Sequence, residues 1–131
     1  DELNMATSRK PDDGEIKAMK LAWKVVKHVR SNAIVICDHE GTLGIGAGQM
    51  SRVDSCRIAV RKAGEAGMDL AGSSAGSDAF FPFPDGVKVL VDSGVINVIQ
   101  PGGSIRDSKV IKAAEEMGIT MALTGRRHFK H

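Results

Sequence analysis

The chain has 131 residues, a formal net charge of +2 and 42% hydrophobic residues, which suits one domain with a buried core and hardly two. So small a net charge gives no bulk attraction to nucleic acid. No apolar stretch reaches the roughly 18 residues of a membrane span, and no signal peptide is recognisable, so we expect a cytoplasmic protein without a membrane partner. The first residue is Asp, which leaves open whether the chain is a natural short protein or a piece of a larger one.

The N-terminal segment predicts a strand, a loop and a helix. Residues 3–7 are expected to form a short strand, and the polar residues after them a loop. Asp12, with Glu15 three residues later, has the pattern of a capping box, which places the start of a helix there. Apolar residues then recur at helical spacing, so we expect this helix to extend to residue 30.

A hairpin and a second helix are predicted next. The run AIVIC at residues 33–37 is typical of a strand buried on both faces. The turn DHEG then leads to a strand at residues 42–45, and so short a connection predicts antiparallel pairing. Ser51, with Asp54 three residues later, is placed to cap the second helix.

The second half of the chain predicts alternating helices and strands. Residues 64–77, rich in Gly and Ser, are expected to form a mobile loop. Helices at 85–93 and 104–117 and strands at 95–100 and 119–124 should follow. Because this order implies parallel pairing through right-handed crossovers, we predict a single α/β domain in three layers around a mixed sheet.

The stretch GIGAGQMSR at residues 44–52 is the first candidate for chemistry. Its glycines match neither the GxGxxG fingerprint nor the P-loop, because the third Gly comes too early and no Lys follows. Two interpretations remain: a tight turn between a strand and a helix, or a close approach of the backbone to a ligand, with helix amides and Arg52 holding an anion. Asn32, between a helix end and a buried strand, either ends the helix or belongs to the same site.

The stretch SDAFFPFPDG at residues 77–86 is the second candidate. It holds three of the four Phe residues of the chain, and Asp78 and Asp85 flank them. Two prolines forbid a regular helix here. A rigid aromatic turn beside carboxylates suits a flat heteroaromatic ligand. The alternative is a hydrophobic loop that closes the core.

Two further patterns concern anions and metals. Arg126, Arg127 and His128 follow the last strand and either hold a phosphate or form a charged terminus. The HxE and PCxxC motifs of zinc deaminases are absent, so no catalytic zinc is expected. Cys37 and Cys56 are predicted to be buried free thiols.

Five motifs in this order, SNAIV, GIGAGQMSR, SDAFFPF, PGGSIRD and RHFKH, closely resemble one family across essentially all 131 residues. The family is the bifunctional purine-biosynthesis enzyme that combines AICAR formyltransferase with IMP cyclohydrolase. The resemblance implies transfer of a formyl group from 10-formyltetrahydrofolate, as co-substrate, to AICAR. It also implies a formyltransferase part made of two halves similar in fold to cytidine deaminase, without its zinc. Residues 1–131 resemble the second half, and the family forms homodimers with sites between subunits.

The resemblance also assigns roles to residues of this chain. The residue implied in catalysis is Asn32. The residues implied in binding AICAR are Arg52, Phe80 and Arg127. The residues implied in binding folate are Gln49, Ser51, Pro82, Phe83 and Asp85. The residues implied near a structural potassium ion, held largely by backbone oxygens, are Ser31 and Asp78.

Two departures from the family pattern limit these expectations. The catalytic Lys-His pair of the family lies in the first half, outside this chain, and Lys27-His28 stands in a different context. Pro84 stands where the family commonly has Arg, which removes one polar contact near the folate. Because a positioned acid–base pair contributes about 10²–10⁴-fold in rate, we expect the chain alone to be inactive. A non-catalytic ligand-binding or regulatory module, and a purely structural dimerisation domain, are the alternatives.

Overall fold

The computed structural model describes residues 3–125, which form six strands and four helices. The strands are β1 (Asn4–Met5), β2 (Ile34–Cys37), β3 (Thr42–Gly46), β4 (Ser74–Ser77), β5 (Asn97–Gln100) and β6 (Thr120–Leu123). The helices are α1 (Asp13–Val26), α2 (Arg52–Glu65), α3 (Asp85–Ser93) and α4 (Asp107–Glu116). In this part of the chain, no helix combines the length and the apolar character needed to cross a bilayer.

The strands form one mixed sheet in the order β1-β6-β5-β4-β2-β3. Strands β4, β5 and β6 run parallel to one another. Strand β2 pairs antiparallel with both β3 and β4, and β1 pairs antiparallel with β6. The predicted hairpin and the predicted parallel pairing in the second half are therefore both confirmed.

The sheet separates two hydrophobic clusters, which confirms the three-layer α/β prediction. Alternate residues of β2 take part in different clusters, as the period of two along a strand requires. Val35 and Cys37 pack with α1 on one face. Ile34 and Ile36 pack with α2, α3 and α4 on the other face.

The prediction of a mobile loop over residues 64–77 is wrong at both ends, and Gly64 and Glu65 belong to α2. Ser74 to Ser77 form β4, which is fully buried between β2 and β5. The small side chains are needed because α1 lies directly on this strand: a Cβ built on Gly76 would come within 2.9 Å of the carbonyl carbon of Ala22. A composition that usually indicates a loop here lets a helix approach a central strand closely.

The starts of α1 and α2 are predicted correctly, whereas α4 begins at Asp107 rather than at residue 104. Asp12 and Glu15 form the expected capping box, and the side chain of Ser51 accepts a hydrogen bond from the amide of Asp54. Helix α1 ends at Val26 rather than at residue 30. The chain beyond it pairs with the glycine-rich loop instead, since the amide of Gly48 donates to the carbonyl of Arg30 at 2.9 Å.

Candidate functional site

A cleft of about 520 Å³ opens beside the start of β2, the N-terminus of α2 and the segment between β4 and α3. It brings together seven of the residues expected at the site: Asn32, Ser51, Arg52, Phe80, Pro82, Phe83 and Asp85. Sequence reasoning missed three further lining residues: Met50, Val53 and Ala79. Met50 and Val53 are the sequence neighbours of the predicted residues Ser51 and Arg52, and this adjacency could have indicated that they line the cleft.

The alternate glycines of GIGAGQMSR serve helix packing. A Cβ at Gly46 would stand 1.9 Å from the carbonyl oxygen of Ser55, and a Cβ at Gly44 would stand 2.3 Å from that of Ala59. Helix α2 therefore lies directly on β3, which any side chain at these positions would prevent. Gly48 has a φ of +67°, a conformation that L side chains rarely adopt. Of the two interpretations, the turn and close packing account for the glycines, and they set the N-terminus of α2 at the cleft.

Arg52 is the buried centre of the site. Its side chain is 6% exposed and that of Asp78 is 0% exposed. The Nη1 atom of Arg52 donates to Oδ1 of Asp78, and also to the carbonyl of Ala33 at 3.1 Å. Burying two charges is costly unless they are paired and hydrogen-bonded, and here each compensates the other.

The amide side chain of Asn32 is held at both ends. Its Oδ1 accepts from Nη2 of Arg52 at 2.8 Å, and its Nδ2 donates to the carbonyl of Gln49 at 3.0 Å. The backbone carbonyl of Asn32 accepts from the hydroxyl of Ser55 at 2.7 Å. A primary amide has two N–H donors, so one donor of Nδ2 is left for a ligand in a fixed orientation.

Gln49 contributes to the site through its backbone. Its carbonyl oxygen accepts from both the backbone amide and the side-chain amide of Asn32. Its own side chain donates to the carbonyl of Ala47 at 3.1 Å and does not line the cleft. The expected contact between the Gln49 side chain and folate stays a prediction.

The side chains of Ser31 and Asp78 do not fit a cation as they are placed. The Ser31 hydroxyl donates to Oδ2 of Asp78, while Oδ1 accepts from Arg52 and from the amide of Ala33. A guanidinium against the carboxylate also repels a second positive charge. Within residues 3–125, no three His, Cys, Asp or Glu side chains come close enough to hold a metal ion. The expectation of potassium therefore rests on backbone oxygens alone.

The aromatic segment divides between the core and the cleft. Phe81 is fully buried in the cluster on the α2 side of the sheet, and its amide donates to Oε1 of Gln100 at 3.3 Å. Phe80 and Phe83 line the cleft, and Phe83 is 50% exposed. The interpretation as a loop that closes the core is thus correct for Phe81, and the contact of Phe80 and Phe83 with a flat ligand stays a prediction.

The residues that line the cleft can form hydrogen bonds, ion pairs and stacking contacts with a ligand. Among the described residues, its lining includes no His, Lys or Cys. Cys56 lies nearby on α2, but burial raises the pKa of its thiol to about 12, although the charge of Arg52 acts in the opposite direction. Both cysteines are buried free thiols, as predicted. Such an arrangement can bind and orient a ligand. Arg127, expected to hold a phosphate, lies outside the described residues.

Comparison with solved structures identifies the fold. A dCMP deaminase from the cyanophage S-TIM5 aligns with a TM-score of 0.55 and 18% identity, over 86% of this chain and 98% of that one. A diaminohydroxyphosphoribosylaminopyrimidine deaminase/5-amino-6-(5-phosphoribosylamino)uracil reductase from Thermotoga maritima aligns with a TM-score of 0.52 and 19% identity, over 82% and 34% of the two chains. The expected deaminase-like fold is therefore confirmed.

Comparison of sequences identifies the family. The family model of the AICARFT/IMPCHase bienzyme matches residues 1–62. The bifunctional purine biosynthesis protein PurH of Chloroflexus aurantiacus is 58% identical over all 131 residues, which span 26% of its length. Over its whole length the chain therefore corresponds to a part of a bifunctional purine biosynthesis protein.

Proposed function

We propose that this chain is the second half of an AICAR formyltransferase domain, whose cleft takes part in formyl transfer from 10-formyltetrahydrofolate to AICAR. The observation that carries the proposal is the convergence of seven expected residues on one cleft of about 520 Å³. They come from three separate segments of the chain, and ligand sites commonly measure about 300–1,000 Å³.

The deaminase-like fold favours the formyltransferase over the cyclohydrolase activity of the bienzyme. The resemblance of the sequence to the family implies that the two formyltransferase halves have this fold. The alignment with two deaminases supports that assignment at the level of fold. The motifs that line the cleft are the ones on which the resemblance to the formyltransferase part depends.

Asn32 is the group proposed to act at the reacting end of the cleft. Its remaining N–H donor is fixed in direction because Arg52 and Gln49 hold the rest of the amide. A donor aimed at a group on which charge develops stabilises the transition state without reorganisation. Asn32 would thus orient the carboxamide and amine of AICAR, or hold the oxygen of the formyl group.

The aromatic wall and Asp85 are proposed to hold the flat rings. Phe80 would lie against the AICAR base, and Pro82 and Phe83 against the folate. Asp85 stands at the start of α3 with an exposed side chain, and Oδ1 accepts from the amide of Gly86 at 2.8 Å. Its other oxygen is placed to accept the N–H groups of a pterin ring.

Arg52 is proposed to serve AICAR mainly through Asn32. Its terminal nitrogens are engaged with Asn32, Ala33 and Asp78. Its Nε is buried and has no hydrogen-bond partner among the described residues. Of the five N–H donors of the guanidinium, this one and the second N–H of Nη2 are left for a direct contact with the substrate.

Formyl transfer by the isolated chain, and by the chain supplied with the first formyltransferase half, tests the proposal. We expect transfer only when both halves are present, because the lining described here holds no His or Lys to carry a proton. Robust transfer by the chain alone would overturn the expected dependence on the other half. Absence of AICAR and folate binding in both settings would overturn the site.

A non-catalytic binding module of the same origin is the second candidate, and the lack of His and Lys in the described lining favours it. It predicts tight binding of AICAR or folate with no transfer even when the other half is supplied.

We also propose a homodimer, supported by Met50, which lines the cleft with 99% of its surface exposed. Sedimentation equilibrium would report the dimer directly, and a monomer at all concentrations would exclude it.

A further inference from the structure

The turn before α4 is fixed by hydrogen bonds from its own side chains. Asp107 accepts from the amides of Gly103 at 2.7 Å and Ser104 at 3.1 Å. The Ser104 hydroxyl in turn accepts from the amide of Arg106 at 3.0 Å. These bonds set the position from which the side chain of Arg106 projects, and they occupy the carboxylate that lies nearest to it in sequence.

The guanidinium of Arg106 lies over the ring of Phe83, with 4.8 Å between its central carbon and the ring centroid. This distance is within the range of a cation–π contact, which holds the flat face of the group and leaves its N–H edge free. Arg106 is exposed and has no ion pair among the described residues. A charged, oriented donor edge thus stands beside a ring that lines the cleft.

We propose that Arg106 is an anion subsite for the carboxylates at the glutamate end of the folate. This inference rests on the proposed function. Phe83 is on the wall assigned to folate, and Arg106 lies beyond it without lining the cleft itself. A ligand whose flat rings fill the cleft and whose charged end emerges past Phe83 would therefore meet the guanidinium. A planar fork of donors matches a carboxylate in two parallel hydrogen bonds.

Binding of two folates to the full chain tests the assignment. One is folic acid, and the other is folic acid with both glutamate carboxylates converted to amides. Wild-type protein should prefer the charged form, and Arg106→Ala should reduce this preference about threefold to tenfold. Arg106→Lys should keep part of it, because Lys supplies the charge without the fork. Raised salt should narrow the preference in the wild type.

Lys109→Ala is the matched control, since it removes one exposed positive charge three residues further on. If Lys109→Ala changes the preference as much as Arg106→Ala does, the preference reflects the net charge of the surface, and the subsite is overturned. An unchanged preference in Arg106→Ala would overturn it as well, while leaving the proposed function standing. If wild-type protein binds neither folate, both alone and with the first formyltransferase half supplied, the proposed function itself fails. If Arg106→Ala instead weakens AICAR but not its phosphate-free nucleoside, the anion is the phosphate and the folate assignment is wrong.

Discussion

The Nη2 atom of Arg52 donates to Oδ1 of Asn32 at 2.8 Å, and the same guanidinium is paired with Asp78. The amide at the cleft is therefore oriented by a charge pair that is itself buried. Because Asp78 is 0% exposed, the orientation is set from inside the fold. The cleft residue and the core residue form one unit, and changes to either should be felt by both.

Asp78→Asn should destabilise the fold strongly. The variant keeps the shape of the side chain but leaves the charge of Arg52 buried without its partner. Removing one member of a buried pair typically costs about 3–5 kcal/mol. Urea denaturation at neutral pH, followed by circular dichroism, measures the change in the free energy of unfolding.

Asp92→Asn is the matched control for this prediction. Asp92 pairs with Lys88 on the surface at 3.0 Å, and the two side chains are 63% and 68% exposed. Exposed pairs of this kind contribute about 0.5 kcal/mol. Equal losses in the two variants would show that the buried pair contributes little.

Asn32→Asp should abolish most of the proposed formyl transfer. A carboxylate oxygen would replace the Nδ2 donor and face the carbonyl of Gln49, so the side chain would turn away. We expect kcat/KM for AICAR to fall about 10²–10³-fold in the bienzyme that contains this segment. The same substitution at Asn4, which is exposed on β1, should leave kcat/KM unchanged. Wild-type rates in the Asn32 variant would remove this residue from the mechanism.

Gly46→Ala should destabilise the protein, although alanine usually stabilises a chain relative to glycine. The added methyl would lie 1.9 Å from the carbonyl oxygen of Ser55, so α2 would have to move off β3. Overpacking of this kind costs about 1–3 kcal/mol. The melting temperature should fall, and ligand binding with it, because α2 carries Arg52.

Gly64→Ala provides the opposite expectation. Gly64 lies inside α2, and a Cβ there meets nothing within 4 Å. The substitution should stabilise the chain by about 0.5–1 kcal/mol. Stabilisation by both alanines would contradict the close contact between α2 and β3.

Glu15→Gln should make the free energy of unfolding less dependent on pH between pH 7 and pH 3. Burial raises the pKa of Glu15, but hydrogen bonds from Arg9 and from the backbone of Asp12 together bring it below its usual 4.5. A lowered pKa in the folded state means that the stabilisation is present above about pH 4.5 and is lost as the pH falls below it. The variant should be less stable than wild type at pH 7, and the difference should shrink toward pH 3.

Urea midpoints between pH 7 and pH 3 measure the effect. Glu65→Gln is the control, because Glu65 is exposed at the end of α2. A constant difference between wild type and Glu15→Gln at all pH values would show that the carboxylate charge is not what stabilises this corner.

Local patterns, namely helix caps and hydrophobic periodicity, were enough to predict most of the fold. The capping box at Asp12, the cap at Ser51 and helix α3 at Asp85–Ser93 agree with the structure. Each depends on residues within a few positions of one another. Strand β4 was missed because its small residues make room for α1. The contacting residue of α1, Ala22, lies far away in the sequence.

The sequence by itself determined the α/β class, the resemblance to the bienzymes and most of the residue types that meet in the cleft. Only the tertiary structure decided what each of them does there. It showed that Arg52 is bound to Asp78, 26 positions away, that Phe81 is in the core, and that the glycines of β3 admit a helix rather than a ligand. The physical reason is that capping and periodicity act over a few residues. The partner of a buried charge is fixed only when distant elements pack. The same is true of the backbone that lies against a glycine.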